Sequence, residues 1–133
     1  MRITVLGATG MAGTAVVNEA LSRGHEVTAV SRRRRHRTGA RLTSRLLDVT
    51  DVEGVAGLLK DSDAAVVALR PPAGHESDLA QLTTAVLDAA SRGRTPLLII
   101  GGAAPLSSPG NPGTLAIDDP TIVPPAWRDV AQA

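Results

Sequence analysis

The feature that most constrains this chain is its opening, "RITVLGATGMAG". A β-branched run, Arg2 to Leu6, stops at Gly7, and glycines recur at 10 and 13 before a helical pattern begins. A strand that must turn at once into a helix favours glycine at the corner, at the point of close approach and at the packing contact. Free amides and the helix dipole then face outward at the turn, ready for an anion. A phosphate loop of the Gly-Lys-Ser/Thr kind is excluded, because no such triplet follows. The spacing therefore predicts a dinucleotide-binding turn, with Gly7, Thr9, Gly10, Met11, Ala12 and Gly13 around a pyrophosphate.

The rest of the chain supplies the alternation such a turn needs. Val16, Val17, Ala20 and Leu21 form a helical stripe that Gly24 ends. "HEVTAV" (25–30) reads as a second strand and "SRLLDV" (44–49) as a third. A helix over 51–60 opens at Asp51 and turns Val52, Val55, Leu58 and Leu59 inward. "DAAVVAL" (63–69) is a strand apolar enough to be covered on both faces. Ser77 or Asp78 caps a helix over 79–92, and "TPLLII" (95–100) is the fifth strand. Strictly alternating strands and helices predict an α/β fold with a doubly wound parallel sheet of the Rossmann type, in order 3-2-1-4-5. The division expected is a dinucleotide-binding core over 1–101 and an irregular Pro/Gly-rich tail over 102–133. Near the end of that tail Trp127, Val130 and Ala131 begin a helix.

Composition narrows the chemistry. At 133 residues the chain is one domain. It has no Cys, no Tyr and no Phe, so disulfides, thiolate metal sites and a tyrosine acid are out. His25, His36 and His75 have no partners at ligand spacing, so no metal site is expected. His75 alone, in the loop after the fourth strand, is a candidate acid. No run approaches the ~18 apolar residues of a membrane helix, and the apolar run of "MRITVLGATG" is too short to be expected as a secretory signal. A cytoplasmic protein without membrane association is expected. The net charge of +1 conceals an asymmetry: residues 1–45 hold nine Arg against two Glu, and residues 46–133 hold eleven acids against five bases.

Much of that positive charge is "SRRRRHR" (31–37), just past the second strand. In this fold an acid there accepts from an adenosine ribose, whereas an arginine receives a 2′-phosphate. Ser31, Arg32 and Arg33 therefore predict NADP(H) rather than NAD(H), the guanidinium fork matching phosphate oxygens two at a time. Arg34, Arg35 and Arg37 read as a solvated loop. Nucleic-acid binding would use the same charges, but the segment has no aromatics for stacking and no recognition helix.

"VLGATGMAG" resembles the opening of the atypical short-chain dehydrogenase/reductase superfamily, especially its small NAD(P)H-binding, NmrA-like branch. The likeness continues through "LLDVTD", "DAAVVAL", "LLIIGGAAPL" and "PGNPGTLAIDDPTIVPPAW". It implies that Asp48 and Val49, closing the third strand, contact adenine, although Asp48 also reads as a turn residue before the next helix. Ala68, Leu69 and Arg70 end the fourth strand, where they would face the cofactor ribose and pyrophosphate, although Leu69 also reads as simple packing. Two departures stand out. Ala104-Pro105 replaces a Gly-Ser whose hydroxyl often lies near the nicotinamide, and the chain looks C-terminally shortened. Nor is a Tyr-x-x-x-Lys pair available, since Lys60 is the only lysine. Three functions follow as expectations: an NADPH-dependent reductase of a small quinone, flavin or carbonyl compound, a non-catalytic NADP(H) sensor, or a shortened domain that needs a partner chain. Ser107 and Ser108 read as loop residues. "LLII" at an unprotected sheet edge predicts a homo-oligomer.

Overall fold

The computed structural model describes residues 1–33, 38–71, 74–75, 77–102 and 106–123. The core elements are β1 (Arg2–Leu6), α1 (Met11–Ser22), β2 (Glu26–Ser31), β3 (Leu42–Leu46), α2 (Val52–Lys60), β4 (Ala64–Val67), α3 (Asp78–Gly93) and β5 (Leu97–Ile99). The five strands form one parallel sheet in order β3-β2-β1-β4-β5. Strand order reverses between β1 and β4, which is the switch point where α/β sheets take ligands.

Period-two alternation sends neighbouring residues into different cores. Val5, Val27 and Ala29 pack against Val17 and Ala20 of α1. Leu6, Val30, Ala65 and Val67 face the other way, onto Val55 and Leu59 of α2 and Val86 and Ala89 of α3. Asp51 caps α2, its Oδ1 accepting from the Gly54 amide at 3.0 Å. Gly24 (φ +81°) follows α1 as the sequence predicts, its amide donating to the Leu21 carbonyl while the His25 amide reaches back to Ala20. Thr95, buried, donates its hydroxyl to the Leu59 carbonyl at 2.7 Å and ties the start of β5 to α2.

The third strand lies earlier than its apolar run suggests, at 42–46 rather than 44–49. Its partner β2 ends at Ser31, opposite Leu46, so the ladder has nothing further to pair with. Asp48 then turns the chain, its Oδ1 accepting from the Thr50 amide (3.0 Å) and hydroxyl (2.9 Å). Asp48 and Val49 thus sit in the β3–α2 turn and do not close the strand.

In the tail, β6 (Ser107–Ser108) and β7 (Asn111–Leu115) pair as a short antiparallel ribbon, followed by a single 3-10 turn, Ala116–Asp118. Ser108, expected as a loop residue, is buried and donates to Asp119 Oδ2 at 2.5 Å. The expected helix start at Trp127, Val130 and Ala131 lies outside the described residues. Among the described residues no strand pairs with the outer edge of β5, where Leu98 is 64% exposed. No described helix is long and apolar enough to cross a membrane.

Candidate functional site

The carboxyl ends of β1, β2 and β4 meet at the switch point. The Gly7 and Ala8 amides both donate to the Val30 carbonyl, at 3.1 and 3.0 Å, and the Ala68 amide donates to the Leu6 carbonyl at 2.8 Å. These bonds hold the glycine turn between the neighbouring strands. The turn closes on itself through the Gly10 amide, which donates to the Gly7 carbonyl at 3.1 Å.

The three glycines are required for different reasons. Gly7 has φ +84°, and a Cβ there would lie 2.3 Å from the Ala68 carbonyl oxygen. At Gly13 a Cβ would lie 2.2 Å from the Gly7 oxygen, so the helix could not seat against the turn. Gly10 is unlike both. Its backbone is extended (φ −75°, ψ 170°), it is exposed, and the nearest atom to an added Cβ is 3.4 Å away. The fold does not demand glycine at 10; a ligand approaching bare backbone would.

Gly10 is also the N-cap of α1 and supplies no side-chain acceptor to the first turn. That turn therefore keeps its amides for something else. Thr14, which sequence reasoning passed over, donates its hydroxyl to the Ala8 carbonyl at 3.1 Å and braces the turn from beneath.

A cleft of about 280 Å³ opens over this turn. Gly7, Thr9 and Gly10 line it at the centre, Ser31, Arg32 and Arg33 on the β2 side, and Ala68, Leu69 and Arg70 on the β4 side. Val49 lines it from the β3–α2 turn. Met11, Ala12, Gly13 and Asp48 were also expected near the ligand and are not among the residues that line the cleft: the first three form the opening turn of α1, with Met11 93% exposed. Three lining residues went unnoticed in the sequence, Val30, Leu47 and Leu82. Leu82 carried a usable signal, since it belongs to the inner stripe of α3. Arg34, Arg35, His36, Arg37, Ala104 and Pro105 lie outside the described residues.

Charge in the cleft is one-sided. Arg32 and Arg33 are exposed, and the described lining carries no carboxylate. Asp48 stands just outside it, beside the end of β2, because the Leu47 amide donates to the Ser31 carbonyl at 3.1 Å. The Thr50 amide, then its hydroxyl, hold the Asp48 carboxyl below its ordinary 3.8, and the positive charge of Arg32 adds a smaller pull in the same direction. His75 faces Asp78 at 3.5 Å in the loop before α3 and does not line the cleft. No group of three potential metal ligands occurs among the described residues.

A parallel five-stranded sheet in this order, with a glycine turn at its switch point, defines a doubly wound protein of the Rossmann type. The chain belongs to the NAD(P)H-binding family, whose profile matches residues 7–132. That agrees with the resemblance carried by "VLGATGMAG". It is 32% identical over 110 residues to the uncharacterized protein YwnB of Bacillus subtilis (strain 168), covering 80% of this chain and 49% of that one. Among solved structures it is similar to a candidate epimerase from Bacteroides thetaiotaomicron (28% identity, TM-score 0.85, 98% of this chain and 59% of that one). It is also similar to a candidate NADH-flavin reductase from Streptococcus pneumoniae (26% identity, TM-score 0.74, 99% of this chain and 61% of that one). The chain thus spans about half the length of the curated relative and about three fifths of these two structures.

Proposed function

We propose that the cleft binds NADP(H) and that the chain serves an NADPH-dependent reductase of a small quinone, flavin or carbonyl acceptor. The observation that carries the reading is Gly10: an exposed glycine with no steric duty in the fold, at the uncapped start of a helix, beside two exposed arginines. The amides of Met11, Ala12 and Gly13 would hold the pyrophosphate, with bare backbone at Gly10 admitting it. Arg32, supported by Ser31 and Arg33, would receive the adenosine 2′-phosphate. Val49 would pack on the adenine, with Asp48 at its edge. Ala68, Leu69 and Arg70 would face the ribose and pyrophosphate from β4. When bound, the reduced cofactor supplies a hydride; the protein orients it and keeps the adjoining cleft wall apolar through Leu69 and Leu82.

One observation favours a second reading, a redox sensor that binds cofactor without turning it over. The described lining of the cleft has hydroxyls and guanidinium groups but no side chain that titrates near neutrality. A shortened domain that needs a partner chain is the third reading. Cytoplasmic residence goes with either of the first two, because that compartment supplies reduced nicotinamide cofactor.

Titration with NADPH and with NADH tests these readings, using the wild type and Arg32→Asp. Wild type should bind NADPH more tightly, and Arg32→Asp should lose at least tenfold on NADPH while keeping or gaining NADH. Turnover with a quinone selects the reductase, and binding without turnover the sensor. No binding of either nucleotide defeats both. An unchanged preference in Arg32→Asp defeats the assignment of the phosphate.

A further inference from the structure

The positive charge of the first third of the chain exceeds what one 2′-phosphate can use, and two of the arginines point elsewhere. On the sheet face that α2 and α3 cover, neighbouring strands present aligned rows. Thr4 stands beside Thr28, and Thr28 beside Thr43. In the next rows Arg2 stands beside Glu26 and Val30 beside Arg45. A sheet face in a layered α/β fold is ordinarily apolar where a helix covers it. Here α2 and α3 pack over β1 and β4, and the β2–β3 part beyond them carries hydroxyls and guanidinium groups instead.

That part forms a groove of about 270 Å³ sharing no lining residue with the cofactor cleft. Thr28, Thr43 and Arg45 line it from the strands, Arg41 from just before β3, and Leu58, Asp61 and Ser62 from the end of α2. Thr4 is already occupied: its hydroxyl pairs with Ser62 at 2.8 Å, and Ser62 donates onward to the Leu58 carbonyl. Arg2 is engaged as well, by Asp63 at 3.7 Å. Arg41 and Arg45, by contrast, make no salt bridge among the described residues.

We propose that this groove is a second ligand site, for a small phosphate-bearing molecule bound by Arg41, Arg45 and the hydroxyls of Thr28 and Thr43. Guanidinium forks with hydroxyl donors between them are the donor set a phosphoryl group needs. The two carboxylates in the lining, Glu26 and Asp61, limit the kind of ligand. Glu26 is flanked in its row by Arg2, and Asp61 follows the last turn of α2. An extended polyanion crossing the groove would meet one or both; a single phosphate seated between Arg41 and Arg45 need not. The volume, about 270 Å³, points the same way, lying just below the range of drug-sized ligand pockets, roughly 300–1,000 Å³.

The test is an amide NMR titration of the whole chain with inorganic phosphate, at constant ionic strength and with NADP+ present in excess. Saturable shifts at Thr28, Arg41, Thr43 and Arg45 are expected. Arg41→Gln/Arg45→Gln, which removes only exposed side-chain charge, should weaken them at least tenfold without moving the thermal midpoint. Shifts that chloride reproduces, or that persist in the double variant, overturn the proposal. So does saturation of the same residues by phosphatidylglycerol vesicles but not by free phosphate, which would make the groove a lipid-surface contact. The groove and cleft share no residue, so failure of NADP+ to shift Gly10 would count against the cofactor reading alone.

Discussion

Replacing Gly10 with alanine separates what the turn does for the fold from what it does for a ligand. The backbone at 10 already lies where alanine is comfortable, and the added methyl meets nothing closer than 3.4 Å. A glycine-to-alanine change at a compatible site gains about 0.4–1 kcal/mol by restricting the unfolded chain. Position 10 is also an N-cap, where alanine is worse than glycine by something on the order of 0.5–1 kcal/mol. The two effects offset each other. Stability should stay within about 0.5 kcal/mol of wild type, a thermal shift of no more than about 2 °C for a chain this size.

Binding should respond quite differently. The methyl would occupy the space into which a pyrophosphate must come to reach the first-turn amides of α1. A loss of at least about tenfold in NADPH affinity, or 1.4 kcal/mol, is expected by fluorescence titration. Gly7→Ala and Gly13→Ala are the controls, because their methyl groups would fall 2.3 and 2.2 Å from backbone oxygens. Each should cost roughly 2–4 kcal/mol of stability and take binding down with it. The reasoning is refuted if Gly10→Ala binds NADPH within twofold of wild type, or if it melts as early as Gly13→Ala.

Two further outcomes follow from the tail and the sheet edge. Hydrogen bonds from the Ser108 hydroxyl, then from the Thr121 hydroxyl and amide, hold the Asp119 carboxyl below 3.8. A carboxyl whose folded value is depressed adds stability above its unfolded value and loses it as pH falls through the folded one. The β6–β7 ribbon should therefore loosen below about pH 4, seen as Ser108 amide exchange speeding up on acidification; Asp119→Asn should remove that pH dependence, and an Asp119 midpoint at or above 3.8 would contradict it. At the edge, Leu98, Ile99 and Ile100 are 64, 40 and 41% exposed. Pairing between two copies along β5 would cover them, so sedimentation should show a dimer that Leu98→Lys converts to monomer. A monomer at high concentration would refute this.

The fold was largely legible because its signals are local. Glycine at 7, 10 and 13, a cap at 24 and period-two apolar strands each act over a few residues, and the crossover rule then leaves one strand order. Where the reading slipped, the deciding force was not local. The third strand looked like 44–49 because "LL" is apolar, yet its limits are set by β2, which runs out at Ser31. The β6–β7 ribbon depends on Ser108 meeting Asp119 across eleven residues, which no periodicity announces. In the cleft, the Gly7, Thr9, Gly10 and Arg32 positions were legible from the motif. Leu47 was not singled out, because an apolar residue in a turn gives no sign of which cavity it lines; for Leu82 the stripe of α3 marked an inward face but not the cleft.

The division of labour among the glycines bears on what the motif itself can prove. Gly7 and Gly13 would be kept by any chain that folds a strand into a helix this tightly, whatever it binds, because a methyl at either strikes backbone. A glycine turn with those two alone is evidence of a corner. Only the glycine with no steric obligation speaks for a ligand, and here it stands at the start of α1 with open space before it. Arg32 adds an independent argument, since its charge lies across the cleft from β4 and offers the fold little beyond a minor pull on Asp48. Two residues that cost the folded chain little to lose are thus the ones on which the functional reading turns. Their substitution should separate binding from stability, whereas substitution at Gly7 or Gly13 should lower both together and serves only as the control.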